Sequence, residues 1–207
     1  LEKNRNNQME PLWGTEIFPE YYSRFEKAAR ETEGVTLTWE GHFIDPLFTH
    51  TTTGFTRPGD EEHPYLASVS CVHDPEEEGF VQEMIMQPEE AAKRVSAIPA
   101  GDGSFRTIPP EAFPEQVQII SRDEAGYALQ LQIGGFPFNG EEVRLALGLP
   151  SACFELNRHG SDVRFSVRGR GHGWGLSQTE AQALAEDGWS AEAILEYFYT
   201  GISFSSE

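Results

Sequence analysis

Between Arg168 and Gln178 the chain reads Arg-Gly-Arg-Gly-His-Gly-Trp-Gly-Leu-Ser-Gln, with glycine at every second position from 169 to 175. A period of two is the period of a strand. An extended segment would carry Arg168, Arg170, His172 and Trp174 on one face and bare backbone on the other, where a second chain or a ligand can approach closely. Packing beneath a bulky neighbour would account for the glycines alone. It would not explain why two cations, an imidazole and an indole share the opposite face.

The charge pattern points to the same stretch. The chain holds 34 acidic against 15 basic residues, a formal net charge of −19, which repels polyanions and excludes general nucleic-acid or anionic-membrane binding. Within it, Arg158, Arg164, Arg168 and Arg170 lie close together with only Asp162 opposing them in sequence. Guanidinium forks suit carboxylates or phosphates, and an indole face suits a sugar ring, so the ligand class is an anionic glycan. Ser177-Gln178 opens a helix whose N-terminal N–H groups also favour an anion.

The 20 Gly and 13 Pro among 207 residues predict many turns rather than a helical bundle. Alternating and 3.6-period patterns predict a helix over Pro19–Glu33 and a hairpin of Val35–Trp39 with His42–Ile44. A long loop follows over Asp45–Asp74, and the acidic run after Pro75 is a solvated turn. Phe80–Met86 is a strand and Pro88–Ala97 a helix; Gln116–Ile120 pairs with Tyr127–Ile133. Asn139 caps a helix over Gly140–Leu147 that Gly148 ends. Cys153–Asn157 and Val163–Val167 form another hairpin, and helices from Ser177 and Ser190 close the chain. The Tyr197-Phe198-Tyr199 stripe is read as helix core.

The fold class is therefore α+β, with largely antiparallel sheets, short helices and two helices at the C-terminus. Three segments are expected. Residues 1–75 carry the first helix, a hairpin and a groove loop, and 76–150 form a hairpin and helix subdomain. Residues 151–207 form a strand, turn and helix segment that packs with 1–75. No run of about 18 apolar residues occurs, and no basic-then-apolar signal segment opens the chain. Cys71 and Cys153 allow one disulfide or two free thiols.

The run Gly171-His172-Gly173-Trp174-Gly175-Leu176-Ser177-Gln178, an Ala-rich helix, and Ile194-Leu195-Glu196-Tyr197-Phe198-Tyr199 before Gly201 resemble the C-terminal signature of the stage II sporulation protein D family. That family reads Gly-His-Gly-Val-Gly-Met-Ser-Gln and then Ile-Leu-Xaa-Tyr-Tyr-Tyr-Xaa-Gly. Upstream, Gly34–Gly41, Phe48-Thr49-His50-Thr51-Thr52-Thr53-Gly54 and Pro64–Val69 follow the family order, with Phe55 where the family has a second glycine. The segment Asn139–Leu149 resembles the family's Arg-Xaa-Ala-Leu-Gly-Leu stretch, so the likeness runs over roughly residues 20–207.

The resemblance implies a peptidoglycan lytic transglycosylase that cuts the N-acetylmuramic to N-acetylglucosamine bond of peptide-free glycan strands and leaves a 1,6-anhydromuramic end. One carboxyl suffices: it protonates the leaving oxygen, then deprotonates the muramic 6-hydroxyl. The family carries that Glu in a Glu-Met-Pro stretch before an Ala-rich helix, and neither occurs in this chain. Met9-Glu10-Pro11 has the same residue types in another order without the helix, so no catalytic residue is assigned. The chain opens on Leu1, and the expectation is that the segment carrying the acid precedes it.

The implied groove joins the His50 loop to the glycine run. Its substrate-binding candidates are His50, Thr51, Thr53, Gly54, Arg170, His172, Gly173, Trp174, Gly175, Ser177 and Gln178. The resemblance further implies a sporulation and engulfment role, an extracytoplasmic and membrane-anchored location, and an amidase and a membrane protein as partners.

Two other chemistries would use residues of a suitable type. His50, His63, Cys71 and His73 would be a zinc set, though not at zinc-finger spacing, and the cofactor expectation is none. His172 with Ser177 would be a nucleophilic pair, but no carboxylate near in sequence orients the imidazole. Two function classes follow: a glycan-cleaving enzyme, or a glycan-binding or scaffold module that uses the same groove without cutting.

Overall fold

The computed structural model describes Gly14 and residues 16–206. They fall into a smaller unit that ends at Phe43 and resumes at Ser203, and a larger one over Ile44–Ile202.

The smaller unit begins with α1 (Phe18–Glu31), which has Glu20 in its first turn and Arg30 in its last, both favourable to the helix dipole. Strands β1 (Val35–Trp39) and β2 (His42–Phe43) pair antiparallel in the register Thr38 to Phe43. Glu40 and Gly41 between them both take positive φ, as the tight turn of a two-residue hairpin requires. The last strand of the chain (Ile202–Ser206) lies on the other side of β1. Thr36 and Thr38 donate their hydroxyls to the Ser205 and Ser203 carbonyls there, both at 3.3 Å.

The larger unit holds two three-stranded antiparallel sheets. Strand β3 (Phe48–Thr49) comes first in sequence, and β4 (Val81–Met86) precedes α2 (Pro88–Ser96). Next come β5 (Val117–Arg122), β6 (Ala128–Ile133), β7 (Phe136–Asn139) and α3 (Gly140–Leu147), which the Asn139 side chain caps by accepting from the Glu141 amide at 2.8 Å. Strands β8 (Phe154–His159) and β9 (Asp162–Arg168) complete the set, giving sheet orders β4-β9-β8 and β5-β6-β7.

Strict alternation on β9 decides the packing: Val163, Phe165 and Val167 are buried, and the residues between them face out. With Val95 on α2, Leu131 and Ile133 on β6, and Val143 and Leu147 on α3, they form the main core. Each such side chain contributes about 1.5–3 kcal/mol relative to exposure.

Strand β10 (Leu176–Ser177) pairs with β3 in parallel, and Arg57 and Trp174 form an isolated parallel bridge. Strand β10 leads directly into α4 (Gln178–Glu186) and α5 (Ala191–Phe198), capped by Ser177 and Ser190. The class is therefore α+β as the patterns predict, with β11 (Ile202–Ser206) added after the two C-terminal helices. Phe198 and Tyr199 are buried, which fits the helix-core reading of that stripe. Among the described residues no helix is long and apolar enough to cross a membrane.

The glycine run departs from expectation. Residues 169–175 are not a strand: Gly169, Gly171, Gly173 and Gly175 all have positive φ, between 70° and 108°. Each reverses the twist that L-residues prefer, so the segment is a corrugated loop. A Cβ on Gly175 would collide with the Leu47 carbonyl oxygen, and one on Gly173 would sit 2.5 Å from the Tyr127 ring. These glycines are there because backbone and rings lie against them.

Candidate functional site

The loop and the His50 segment are stitched together by backbone hydrogen bonds. Thr51 donates its amide to the Arg170 carbonyl at 3.0 Å, and Arg170 returns the bond to Thr51 at 2.8 Å. Thr49 donates its hydroxyl to the same Arg170 carbonyl at 3.1 Å, and the Thr179 amide donates to the His50 carbonyl at 3.1 Å. The His50 segment and the glycine run are thus joined side by side.

Beneath them lies a polar group absent from the sequence reading. Asp74 is fully buried, and its Oδ2 accepts from the Thr52 amide and the Thr52 hydroxyl, each at 2.6 Å. Its two oxygens also face the Ser177 hydroxyl at 2.8 Å. Burial raises the Asp74 carboxyl above its ordinary value, and the Thr52 and Ser177 bonds oppose that rise. Alongside, buried Glu180 accepts from the His73 amide at 2.8 Å and faces His73 Nδ1 at 3.1 Å, which raises the imidazole. Asp74 opens the 3₁₀ turn that ends the expected loop, and no sequence pattern distinguishes it from the acidic residues that follow.

A second buried ion carries the other end of the loop. The Arg57 guanidinium lies 3.8 Å from the Trp174 ring centroid and 4.7 Å from that of Tyr127. It donates Nε to Asp123 at 2.6 Å, and Nη1 to Glu141 at 3.0 Å and to the His172 carbonyl at 3.2 Å. Its amide donates to the Gly173 carbonyl at 2.8 Å. Only 4% of the Arg57 side chain is exposed, so these partners replace water for the buried cation. Planar guanidinium can stack and fork at once, which Lys cannot.

His172 and Trp174 share a face, with ring centroids 5.6 Å apart. Trp174 donates its amide to His172 Nδ1 at 3.1 Å, which leaves Nε2 to carry the proton of the neutral ring. Burial lowers the His172 imidazole below its ordinary value, while the Glu141 carboxylate pulls the other way. The expectation that one Trp174 face is open to a sugar is corrected in part, because the Arg57 guanidinium covers one side of the indole.

The run also opens onto two depressions rather than one face. His50, Thr51, Gly169 and Arg170 line a small polar cleft with Gln82, Glu77 and Glu78. Trp174 lines a cavity of about 280 Å³ with Leu47, Pro58, Asp60, His63 and Leu66. The basic cluster is also smaller than in sequence, since Arg158 pairs with Glu115 at 2.8 Å and Arg164 with Glu83 at 3.6 Å. Arg168 and Arg170 remain exposed.

The remaining candidates separate by burial. Thr51, Gly173, Gly175 and Ser177 are buried, whereas His50, Thr53, Gly54, His172 and Trp174 are half-buried and Gln178 is exposed. Thr53 donates its hydroxyl to the Ala125 carbonyl at 2.5 Å, and His50 Nδ1 lies 2.7 Å from the Thr51 hydroxyl.

The nucleophilic pairing is not formed, because Ser177 turns to Asp74 and the His172 ring takes the Trp174 amide. The zinc set is not gathered either. His63 faces Asp60 at 2.8 Å, His73 faces Glu180, and burial pushes the Cys71 thiol up to about 12. No three His, Cys, Asp or Glu side chains converge as a metal cage among the described residues. Cys71 and Cys153 are both free, buried thiols. Met9-Glu10-Pro11 lies outside the described residues.

Comparison with known proteins gives a consistent result. No family model matches the chain. It is 27% identical over 203 residues to a stage II sporulation protein D of Bacillus amyloliquefaciens, covering 96% of this chain and 56% of that protein. The Bacillus subtilis (strain 168) protein of the same name is 27% identical over 205 residues, covering 96% and 55%. An amidase enhancer of Bacillus subtilis (strain 168) is 23% identical over 232 residues, covering 89% and 33%. The chain spans about half the length of the two sporulation relatives. The likeness carried by the sequence motifs extends along nearly the whole chain, which is similar to stage II sporulation protein D.

Proposed function

We propose that this chain binds peptidoglycan glycan strands and belongs to a lytic transglycosylase acting in sporulation cell-wall remodelling. The observation that carries the reading is the joining of the His50–Gly54 segment to the glycine run through the paired Thr51 and Arg170 backbones. It brings His50, Arg170 and the His172–Trp174 pair to one region of the larger unit. Arg170 supplies an exposed cation for the muramic carboxylate, while His172 and Trp174 supply an amphipathic edge for pyranose rings. The names of the similar proteins support a wall role, and the amidase enhancer among them supports work alongside an amidase. The location that fits is extracytoplasmic, with a membrane-anchored protein as further partner.

The cleavage assigned to the whole protein is the N-acetylmuramic to N-acetylglucosamine break with a 1,6-anhydro product. The stretch Arg168–Gln178 contains no carboxylate, so it binds and orients rather than transfers the proton. The second reading is a module that holds the strand without cutting.

One experiment separates the two. The protein is incubated with peptide-stripped glycan strands, and the products are read by mass spectrometry alongside a pull-down on the same strands. Anhydromuramic ends support the enzyme, and retention without new ends supports the module. Absence of both overturns the proposal.

A further inference from the structure

The larger unit carries a third depression, lined by none of the residues of the glycine run. It lies between the turn at Pro99–Gly101, the β6 and β7 strands and the start of α3, and it encloses about 310 Å³. That is the lower end of the range for small-molecule sites.

Arg106 is its one cation. The guanidinium carbon sits 5.0 Å from the ring centroid of buried Phe138 and 5.9 Å from that of Phe136. Cation–π attraction holds a guanidinium near such rings, and its N–H groups can still meet a bidentate acceptor. Among the described residues Arg24, Arg57, Arg94, Arg122, Arg144, Arg158 and Arg164 have a carboxylate within 4 Å, whereas Arg30, Arg168 and Arg170 do not. Arg106 has no such partner among the described residues, although Glu142 lines the same depression. The nearby Asp102 takes the Ser104 amide at 2.9 Å and the Ser104 hydroxyl at 2.6 Å, and the Arg106 charge reaches it only through space as the smallest of the causes that hold its carboxyl low.

The depression therefore offers a guanidinium fork and a carboxylate in its lining. It is also lined by the exposed amides of Gln130 and Asn139, the latter with its oxygen already committed to capping α3. An anion alone would be held by Arg106 but repelled by Glu142. A ligand with a carboxylate at one end, an ammonium at the other and a peptide unit between them satisfies all of these groups.

We infer that this depression is a binding site for a short peptide with free ends, its carboxylate on Arg106 and its amine toward Glu142. The site is independent of the glycan reading, because none of its residues belongs to the candidate groove.

The test is a titration of the isotope-labelled full chain with alanylalanine, followed through the Arg106 side-chain N–H and the backbone amides of Ala100, Gly101 and Asn139. Saturable shifts are expected there. N-acetylation or C-amidation of the dipeptide should each weaken binding by about tenfold, the loss of roughly one charged contact. Arg106→Ala should abolish the shifts with every ligand, and Glu142→Gln should reduce the free dipeptide to the level of its N-acetyl form. Arg106→Ala should leave glycan retention unchanged. No saturable shift, shifts that survive Arg106→Ala, or equal binding of the free and blocked dipeptides would overturn the assignment.

Discussion

Asp74 and Ser177 lie 103 residues apart in sequence and are joined by a 2.8 Å hydrogen bond inside the protein. The bond ties the 3₁₀ turn after the Thr51 loop to the first turn of α4, where Ser177 also accepts the Glu180 amide at 3.4 Å. Replacing the carboxylate by its amide keeps the shape and turns a donor toward donors. Asp74→Asn should therefore cost about 1–3 kcal/mol, the range for buried donors left without an acceptor. Urea unfolding of the two proteins measures it, and equal midpoints would show that Asp74 does not brace this junction.

Arg57 makes a separate prediction. Arg57→Ala removes the cation from Asp123, which keeps only the Tyr127 amide, while Glu141 retains Arg144 at 2.7 Å; breaking a buried pair in this way costs about 3–5 kcal/mol. Arg57→Lys keeps the charge but loses the stack on Trp174 and the bond to the His172 carbonyl. The lysine variant should remain folded by circular dichroism while tryptophan fluorescence changes. An unaltered emission spectrum would mean that the indole does not depend on the guanidinium.

Glycine positions with the same sign of φ should respond differently. Gly160 takes φ +64° with nothing within 4 Å of the place a methyl would occupy, so Gly160→Ala carries only the left-handed penalty of about 1–2 kcal/mol. Gly175→Ala adds a collision with the Leu47 carbonyl and should be far more damaging, with loss of soluble protein or a large drop in melting temperature. Similar melting temperatures for the two variants would contradict the close approach.

The two perturbed histidines should give opposite pH responses. The Glu180 bond raises His73 above its ordinary 6.5, so its contribution is full below that value and fades as pH rises through the folded-state pKa. Burial lowers His172, so its contribution is full above 6.5 and fades as pH falls toward the lower folded-state pKa. His73→Gln should flatten the stability profile on the alkaline side of 6.5, and His172→Gln should flatten it on the acid side. Unfolding midpoints measured from about pH 5 to 8 would decide, and identical profiles for both variants would refute the assignment.

For the proposed glycan surface, Arg170→Ala and His172→Ala should each weaken strand retention by about tenfold, as expected for loss of a charged hydrogen bond or a ring contact. Circular dichroism should be unchanged for Arg170→Ala, whose side chain is exposed. Full retention by both variants would remove the glycine run from the surface.

Much of this was legible in the sequence because local signals acted alone. Asn139, Ser177 and Ser190 cap their helices as their positions predict, and Val163, Phe165 and Val167 turn inward with period two. What escaped depends on distant partners. The period-two reading of 169–175 failed because glycine alternation also fits a left-handed zigzag, and only the Leu47 and Tyr127 contacts choose between them. Arg57 and Asp74 sit in ordinary polar stretches, and their importance comes from burial, which no local pattern reveals. Arg158 and Arg164 looked like part of a binding cluster until Glu115 and Glu83 arrived from other parts of the chain.

The pairing of β11 with β1 has a consequence for how the chain is made. Thr38 and Ser203 meet across 165 residues, and the larger unit lies between them in sequence. A hairpin of β1 and β2 is marginal alone. During synthesis the small sheet must therefore wait until the larger unit and β11 have emerged from the ribosome. Until then the β1 edge that Ile202–Ser206 covers is unpaired, and an unpaired strand edge is a template for association with other chains.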